Sequence, residues 1–305
     1  MNVKPILQCR GCLRSLFPTC LAAVLALGIS LSPSTLFGGL MHRWSFNDGT
    51  ANDSVGGAHG MASGRTEFSG GQIVLNRPLT APPFLPNTGH VILPSQAIAI
   101  DQYVDGTFEG WFTIVPYGSW GWSRLFDFGE PDPGLSATNY IFYSPVTSCC
   151  PEGKNIASIS AHSIIPFASD RAVGGDYLSY NTEHHVAVVF DDAANGGTGR
   201  MSVFVDGQFR GDVLLRVPLS TVSTTAAYLG KSMFGVDPQL PGSINEFRLY
   251  DFALSPEQIT RNFLNGPNGT PVPEPGSVAL VGLAMLGLGS VSVRRQSDLT
   301  ADGRE

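Results

Sequence analysis

Short apolar segments separated by turn residues set the strongest constraint on how this chain can fold. Between residues 40 and 270 the apolar residues fall in short runs bounded by Gly, Pro, Asn, Asp and Ser. Runs of about three to nine residues are too short for most helices and are typical of strands. We predict strands at residues 72–75, 90–93, 107–115, 124–128, 140–143, 156–161, 185–190, 201–205, 227–229 and 244–250. The chain should therefore be all-β.

Two turns predict that neighbouring strands pair in antiparallel fashion. Asp206-Gly207 stands between Val205 and Gln208, and a type I′ hairpin turn needs positive φ at both of its central residues. The glycine-rich segment 195–199 joins the preceding pair of strands in the same way. Since each antiparallel sheet must bury one face, we expect a two-sheet antiparallel β-sandwich.

One short helix is predicted near the end of this region. Ser255 is a typical N-cap, Pro256 suits the first helical position, and Gln258 completes a capping box. Gly266 is the expected stop signal. Ile259, Phe263 and Leu264 should form the apolar side of this helix against the sandwich.

The N-terminal residues have the build of a secretory signal peptide. Residues 1–14 contain three basic residues and no acidic one, and an apolar, helix-forming segment follows from Leu16 to Leu31. We assign residues 1–34 to the signal peptide, with cleavage near Ser32 to Ser34. Cys9, Cys12 and Cys20 lie in this segment and would be removed with it.

A proline pair, an apolar run and an arginine pair follow one another near the C-terminus. Residues 268–277 form a linker with Pro273-Glu274-Pro275, and residues 278–295 form a hydrophobic helix that ends in Arg294-Arg295; residues 296–305 are a polar tail. The apolar run is shorter than the ~20 residues of a comfortable transmembrane span. We therefore expect a temporary membrane anchor, with a buried C-terminal core helix as the alternative.

This order of motifs resembles the PEP-CTERM sorting signal over residues 271–295. The resemblance implies export to the cell envelope and an exosortase-type sorting protease as a partner. It also implies cleavage near Pro273-Glu274-Pro275, for surface display or for release.

The charge of the region between the two signals excludes one class of partner. Residues 40–270 carry 12 Lys and Arg against 21 Asp and Glu, a net charge of −9. Nucleic acid is an unfavourable ligand for such a domain because phosphate binding needs basic side chains. Two adjacent cysteines, Cys149 and Cys150, form either a strained vicinal disulfide or two free or intermolecular thiols. In either case disulfides do not hold the domain together, so it must fold by burying apolar surface.

Several short motifs occur in an order that resembles the LamG-like, concanavalin A-like jelly-roll family over residues 40–267. They are His42–Gly49, Asn52–Gly60, Glu109–Phe112, His184–Val188, Val205–Gly207 and Gly242–Asp251. The resemblance implies a jelly-roll sandwich with a tendency to bind glycans or proteins. It does not fix a ligand.

Oxygen-bearing residues are concentrated in the first turn of this region. Asn47, Asp48 and Asp53 surround a Gly-Gly turn, and Glu246 on a neighbouring terminal strand could complete a shell. Calcium prefers six to eight oxygen ligands, so we predict a Ca²⁺ site at these four residues. The alternative is that Asn and Asp are here simply as turn formers.

A group of aromatic residues is the candidate ligand-binding surface. Trp111 alternates with core residues on its strand, and Tyr117, Trp120 and Trp122 follow in a glycine-containing loop. Aromatic rings offer sugars an apolar face beside polar groups. The alternative is that some of these rings only cover a sheet edge.

The sequence contains few combinations of residues that could form a catalytic site. Glycosidases need two facing carboxylates, and the Glu-x-Asp-x-x-Glu strand of laminarinase-type enzymes does not occur; Glu109 and Glu246 fall on different strands. His184 and His185 are adjacent on a strand and should point to opposite faces. Three functions follow: a noncatalytic binding protein for carbohydrate or a matrix component, a purely structural envelope or biofilm protein, and a glycan-degrading enzyme with least support.

Overall fold

A computed structural model describes residues 39–75, 89–116, 121–132, 137–147, 154–166, 168–197 and 199–271. Its fifteen strands are Leu40–Trp44 (β1), Met61–Ser63 (β2), Glu67–Ser69 (β3), Gln72–Val74 (β4), His90–Leu93 (β5), Gly106–Ile114 (β6), Phe126–Gly129 (β7), Asn139–Ser144 (β8), Asn155–Ala161 (β9), Asp170–Gly175 (β10), Glu183–Asp191 (β11), Arg200–Val205 (β12), Gln208–Leu214 (β13), Ala226–Leu229 (β14) and Gly242–Tyr250 (β15). Three helices accompany them: Ser95–Ile98 (α1), Ala194–Gly197 (α2) and Pro256–Asn265 (α3).

The strands form two antiparallel sheets. Sheet I has the order β13-β12-β11-β6-β15-β4-β3, and β1 shares the outer edge of β15 with β4. Sheet II has the order β10-β9-β8-β7-β14-β5-β2. The predicted two-sheet antiparallel sandwich is confirmed.

Aromatic side chains from both sheets fill the space between them. Phe108 of sheet I stacks on Phe126 of sheet II with ring centroids 5.1 Å apart, and Phe247 lies 5.4 Å from Phe126. All three rings are fully buried. Because side chains alternate along a strand, the residues between them point away from this core. Each sheet therefore also has an outer face.

Each predicted strand overlaps an observed one, and the hairpin turn has the predicted backbone. Asp206 and Gly207 have φ values of 51° and 73°, as a type I′ turn requires. The segment after β11 contains the short helix α2 and joins antiparallel partners, β11 and β12. Five observed strands, β1, β2, β3, β10 and β13, lie outside the ten predicted ranges. Of these, β2 and β3 are very short, and β10 carries few apolar residues.

The predicted helix α3 is confirmed with its capping box and its end at Gly266. Its apolar side differs from the prediction at one position, since Leu264 is 76% exposed while Asn262 is buried. Ile259 is buried and Phe263 is half-buried. The helix therefore turns an amide, rather than a leucine, toward the sheet because a polar group lies beneath it.

Among the described residues no helix is long and apolar enough to cross a membrane. The predicted signal peptide, the segment 278–295 with Arg294 and Arg295, the motif Pro273-Glu274-Pro275, and Cys149 and Cys150 lie outside the described residues.

The hairpin glycine links the β12–β13 turn to α3, and this yields a stability prediction. A Cβ at Gly207 would lie 2.8 Å from Phe263 Cδ1, whereas one at Gly196, which also has positive φ, would meet nothing within 4 Å. Gly196→Ala should cost about 1 kcal/mol of unfolding free energy from backbone strain alone. Gly207→Ala should cost about 1–3 kcal/mol more, because Phe263 must move.

Urea denaturation of the two variants beside the wild type measures this difference. Equal losses for Gly196→Ala and Gly207→Ala would show that the turn does not pack against α3.

Candidate functional site

Glu109 is the centre of a polar cluster on the outer face of sheet I. It lies on β6 between core residues, is fully buried, and is covered by α3. Its carboxylate accepts hydrogen bonds from His185 Nε2 (2.9 Å), the Tyr250 hydroxyl (2.9 Å) and Asn262 Nδ2 (3.1 Å to each oxygen). Asn262 is therefore the buried amide of α3, and it satisfies an acceptor that leucine could not.

Two arginines directly opposite one another complete this cluster. Arg43 on β1 and Arg248 on β15 are cross-strand partners, a placement that would be repulsive without compensation. Glu246 lies between them: Arg43 donates to both of its oxygens at 3.0 and 2.9 Å, and Arg248 Nε also donates to it. Arg248 Nη1 approaches Glu109 at 3.4 Å. Two carboxylates thus balance two guanidinium groups.

Trp111 is part of the same cluster and is not an open ligand platform. Its ring lies 4.5 Å from that of His185 and 4.5 Å from the guanidinium carbon of Arg248. The prediction placed Trp111 outside the central core, and the structure does so. The ring is nevertheless only 2% exposed, because α3 and the residues after it cover this face. Trp111 must be removed from the predicted ligand-binding set.

The electrostatics of Glu109 are those of a counter-ion. Burial raises its pKa, but the hydrogen bond from His185 and the charge of Arg248 outweigh burial, so the pKa lies below its ordinary value. A general acid in a glycosidase needs the opposite shift. Glu109 and Glu246 are both fully buried and paired, so neither faces a substrate in this arrangement.

The adjacent histidines point to opposite faces, as predicted. His184 Nδ1 pairs with Asp206 Oδ2 at 2.9 Å and its Nε2 lies 3.0 Å from the Ser179 hydroxyl. His185 instead contacts Glu109. The bond to Asp206 raises the pKa of His184. Both histidines are used in packing and pairing.

The four predicted calcium ligands are not gathered at one place. Asp53 is buried and accepts bonds from the His42 ring and from the backbone N–H groups of Arg43, Val55, Gly56 and Ala58. These donors present positive charge where a cation would have to bind, so Asp53 does not fit a calcium ligand here. Glu246 is held by two arginines, while Asp48 is exposed and accepts from Thr50.

Asn47 donates to Asn268 at 2.6 Å. The described residues contain no group of three or more acidic, His or Cys side chains that could hold a metal ion. This corrects the four-residue shell, and calcium binding by the chain stays a prediction.

The outer face of sheet II carries a second buried charged group that the sequence patterns did not reveal. Arg124 and Asp127 are both buried, and the guanidinium carbon of Arg124 lies 3.7 Å from the centre of the Phe142 ring. Arg124 donates to Asp237 at 2.8 Å and to the carbonyl of Trp122. Asp127 Oδ2 accepts from the backbone N–H of Met233 at 2.9 Å. The signal for this group in the sequence was a single acidic residue, Asp127, between two apolar strand residues, Phe126 and Phe128.

Three half-buried aromatic rings, Trp122, Tyr228 and Phe234, lie on the same outer face as this group. All three pack against the small apolar cluster that includes Tyr140 and Phe142 on the outer face of sheet II. We call Trp122, Tyr228 and Phe234 the aromatic surface. Trp122 has a positive φ of 78° and its carbonyl is held by Arg124, so the buried arginine fixes the direction of this ring.

Cationic side chains lie over two rings of the aromatic surface. The Lys231 ammonium lies 4.6 Å from the Tyr228 ring centre, and the Arg171 guanidinium carbon lies 5.8 Å from the Trp122 ring centre. The surface can therefore offer apolar ring area beside hydrogen-bond donors. Trp122 is the predicted ligand residue that lies here, and Tyr117 and Trp120 are outside the described residues.

Comparison with known proteins relates the chain to one family and one sorting signal. The Laminin_G_3 model, described as the concanavalin A-like lectin/glucanases superfamily, matches residues 85–260. The model of the PEP-CTERM protein-sorting motif matches residues 271–296. No curated protein matches the chain.

Solved structures share the fold at low sequence identity. Domain 4 of AbnA, a GH43 extracellular arabinanase from Geobacillus stearothermophilus in complex with arabinotriose, is 18% identical with a TM-score of 0.56, over 74% of this chain and 98% of that chain. The binding domain of botulinum neurotoxin DC with rat synaptotagmin II is 11% identical with a TM-score of 0.50, over 74% and 51%. The same binding domain with SialylT is 10% identical with a TM-score of 0.50, over 74% and 50%.

The chain spans about half the length of the neurotoxin chains. Identities this low show the fold alone.

The buried Asp127 gives a pH prediction. Burial raises its pKa to about 7, although the charge of Arg124 opposes this shift. The folded chain then keeps a proton that the unfolded chain loses, so this contribution to stability is full below about pH 4 and is lost as the pH rises through about 7. Asp127→Asn removes the titration. Between about pH 5 and about pH 8 the wild type should lose about 2 kcal/mol more than the variant.

Urea denaturation at these two pH values tests this difference. Asp101→Asn, at an exposed carboxylate, is the control and should follow the wild type. Parallel pH curves for Asp127→Asn and the wild type would contradict the raised pKa.

Proposed function

Because the chain belongs to the concanavalin A-like lectin/glucanases superfamily and carries a PEP-CTERM sorting motif, we propose that it is an exported, noncatalytic protein that binds carbohydrate. The sorting motif implies export to the cell envelope and processing by an exosortase. The ligand would then be a glycan of the cell surface or of the matrix around it.

The observation that carries this proposal is the aromatic surface on sheet II. Its rings are half-buried, so their edges are fixed by packing while part of each ring stays accessible. A rigid, partly exposed ring can cover the apolar C–H face of a sugar at little cost in conformational entropy.

Hydrogen-bond donors over two rings of the aromatic surface suit the hydroxyl and carboxylate groups of a sugar. Lys231 and Arg171 hold their charges beside Tyr228 and Trp122. A sugar that displaced either cation from its ring would still come within reach of the donors of that side chain. Apolar contact with a few polar groups is the usual composition of such sites.

The noncatalytic part of the proposal is supported by the positions of Glu109 and Glu246. Glu109 and Glu246 are fully buried counter-ions of Arg248 and Arg43. A carboxylate that already accepts several protein hydrogen bonds cannot protonate a glycosidic oxygen without breaking them.

Relatives in fold are consistent with a binding role. One is a domain of an arabinanase in complex with arabinotriose, and another is the binding domain of a neurotoxin in complex with SialylT. The fold therefore occurs in a domain whose structure is a complex with a sugar, arabinotriose, at 18% identity to this chain.

Binding of the full-length protein to a glycan array, in mild detergent with calcium or with EDTA, tests the proposal. We expect dose-dependent binding. For the best ligand, titration calorimetry of Trp122→Ala should show about tenfold weaker affinity, since one stacked ring is lost. Phe209→Ala, at a 56% exposed ring on β13 of sheet I, is the matched control and should bind like the wild type.

Two outcomes would count against the proposal. Ligand binding that survives both Trp122→Ala and Tyr228→Ala would exclude the aromatic surface as the site. A silent array in both buffers would favour a structural role in the envelope or biofilm, without a discrete ligand.

A further inference from the structure

The segment that follows α3 is fastened to the domain by arginine side chains. Arg248 Nη2 donates to the carbonyls of Pro267 at 2.8 Å and Gly269 at 3.1 Å, and Arg43 Nη2 donates to Pro267 at 3.3 Å. Asn47 adds a bond to the side chain of Asn268 at 2.6 Å. We call the contacts of Arg43, Asn47 and Arg248 with residues 267–269 the linker clamp.

The carboxylates of the buried cluster orient the guanidinium groups of Arg43 and Arg248 toward the linker. Glu246 accepts hydrogen bonds from Nε and Nη2 of Arg43 and from Nε of Arg248. Glu109 accepts one from Nη1 of Arg248. The Nη2 group of Arg248 is left to bind backbone carbonyls. Because Arg248 is 1% exposed, its guanidinium cannot turn to solvent, and the linker carbonyls complete its hydrogen bonding.

The rest of the segment is also folded rather than extended. Gly269 N–H donates to the carbonyl of Gly266 at 3.1 Å, and Asn265 donates to the carbonyl of Thr270 at 3.4 Å. Contacts with the domain thus continue to Thr270. The sorting motif begins three residues later, at Pro273.

Chain length limits how far the sorting motif can move from the clamp. Three residues span at most about 10 Å, so Pro273 stays within that distance of Thr270 while the clamp is closed. The apolar run begins at Val278, and eight residues span at most about 27 Å.

We propose that the linker clamp restrains access of the sorting protease to Pro273-Glu274-Pro275, so that the folded domain itself sets the rate of processing. Peptide-binding clefts commonly take extended segments through their backbone N–H and C=O groups. Residues 267–270 are folded back, and the carbonyls of Pro267 and Gly269 are already bound by arginine. The chain just before the motif can enter such a cleft only when the clamp opens or when slack is added.

Processing of the full-length protein in exosortase-competent cells tests the linker clamp. Six Gly/Ser residues inserted between Pro271 and Val272 add slack without touching the domain. Arg43→Lys with Asn47→Ala keeps the charge beside Glu246 but removes the forked donor and the bond to Asn268. Both changes should speed the appearance of the cleaved form in a pulse-chase by up to about tenfold, the population change that one ordinary hydrogen bond supports.

The matched control is the same six-residue insertion between Ser297 and Asp298, which lengthens the tail beyond the arginine pair and should leave the rate unchanged. Unchanged or slower cleavage in the Pro271–Val272 insertion variant would overturn the proposal. Amide hydrogen exchange gives an independent readout: the peptide covering residues 266–271 should be protected in the wild type and lose protection in the double variant. Equal exchange would also overturn it. Glycan binding should not change in either variant, so this result is separable from the ligand proposal.

Discussion

The buried ion cluster of Arg43, Glu246, Arg248 and Glu109 is the constraint on which much of this structure depends. Two guanidinium groups opposite one another on β1 and β15 are tolerated because two buried carboxylates balance them. Such a cluster is costly to leave half-made, since a buried charge without its partner keeps its full desolvation penalty. Every element that touches the cluster is thereby held in one register.

This constraint explains several features that otherwise look unrelated. Helix α3 turns Asn262 inward because Glu109 needs donors, and Trp111 is covered because Arg248 and His185 lie against its ring. The linker follows the domain surface to Thr270 because Arg248 has a remaining donor group. The half-buried aromatic rings of the aromatic surface lie instead on sheet II, where Arg124 and Asp127 form a separate buried pair.

Local signals in the sequence predicted local structure well. The Asp206-Gly207 turn, the capping box of α3 and the longer apolar strands depend on neighbouring residues, and all were confirmed. Failures came where distant residues decide the outcome. Leu264 is exposed because the partner of α3 is Glu109, 155 positions earlier in the chain.

Trp111 was assigned to the ligand set because alternation along β6 tells which face a side chain is on, but not what covers that face. The calcium prediction at Asp53 and Glu246 fails for a similar reason. Their carboxylate oxygens already accept hydrogen bonds, those of Asp53 from backbone N–H groups and those of Glu246 from arginines. Of the aromatic surface only Trp122 was predicted; Tyr228 and Phe234 were not, because they come from β14 and from the segment after it, far from Trp122 in the chain.

The central claim is that Glu109 is the structural counter-ion of Arg248. A double-mutant cycle with Glu109→Gln and Arg248→Met, followed by the fluorescence of the buried Trp44 and Trp111 in urea, tests it most directly. Each single change should lower the unfolding free energy by about 3–5 kcal/mol, and the double variant should lose about 2 kcal/mol less than the sum. Losses that add to within about 0.5 kcal/mol would show that the two side chains do not depend on each other.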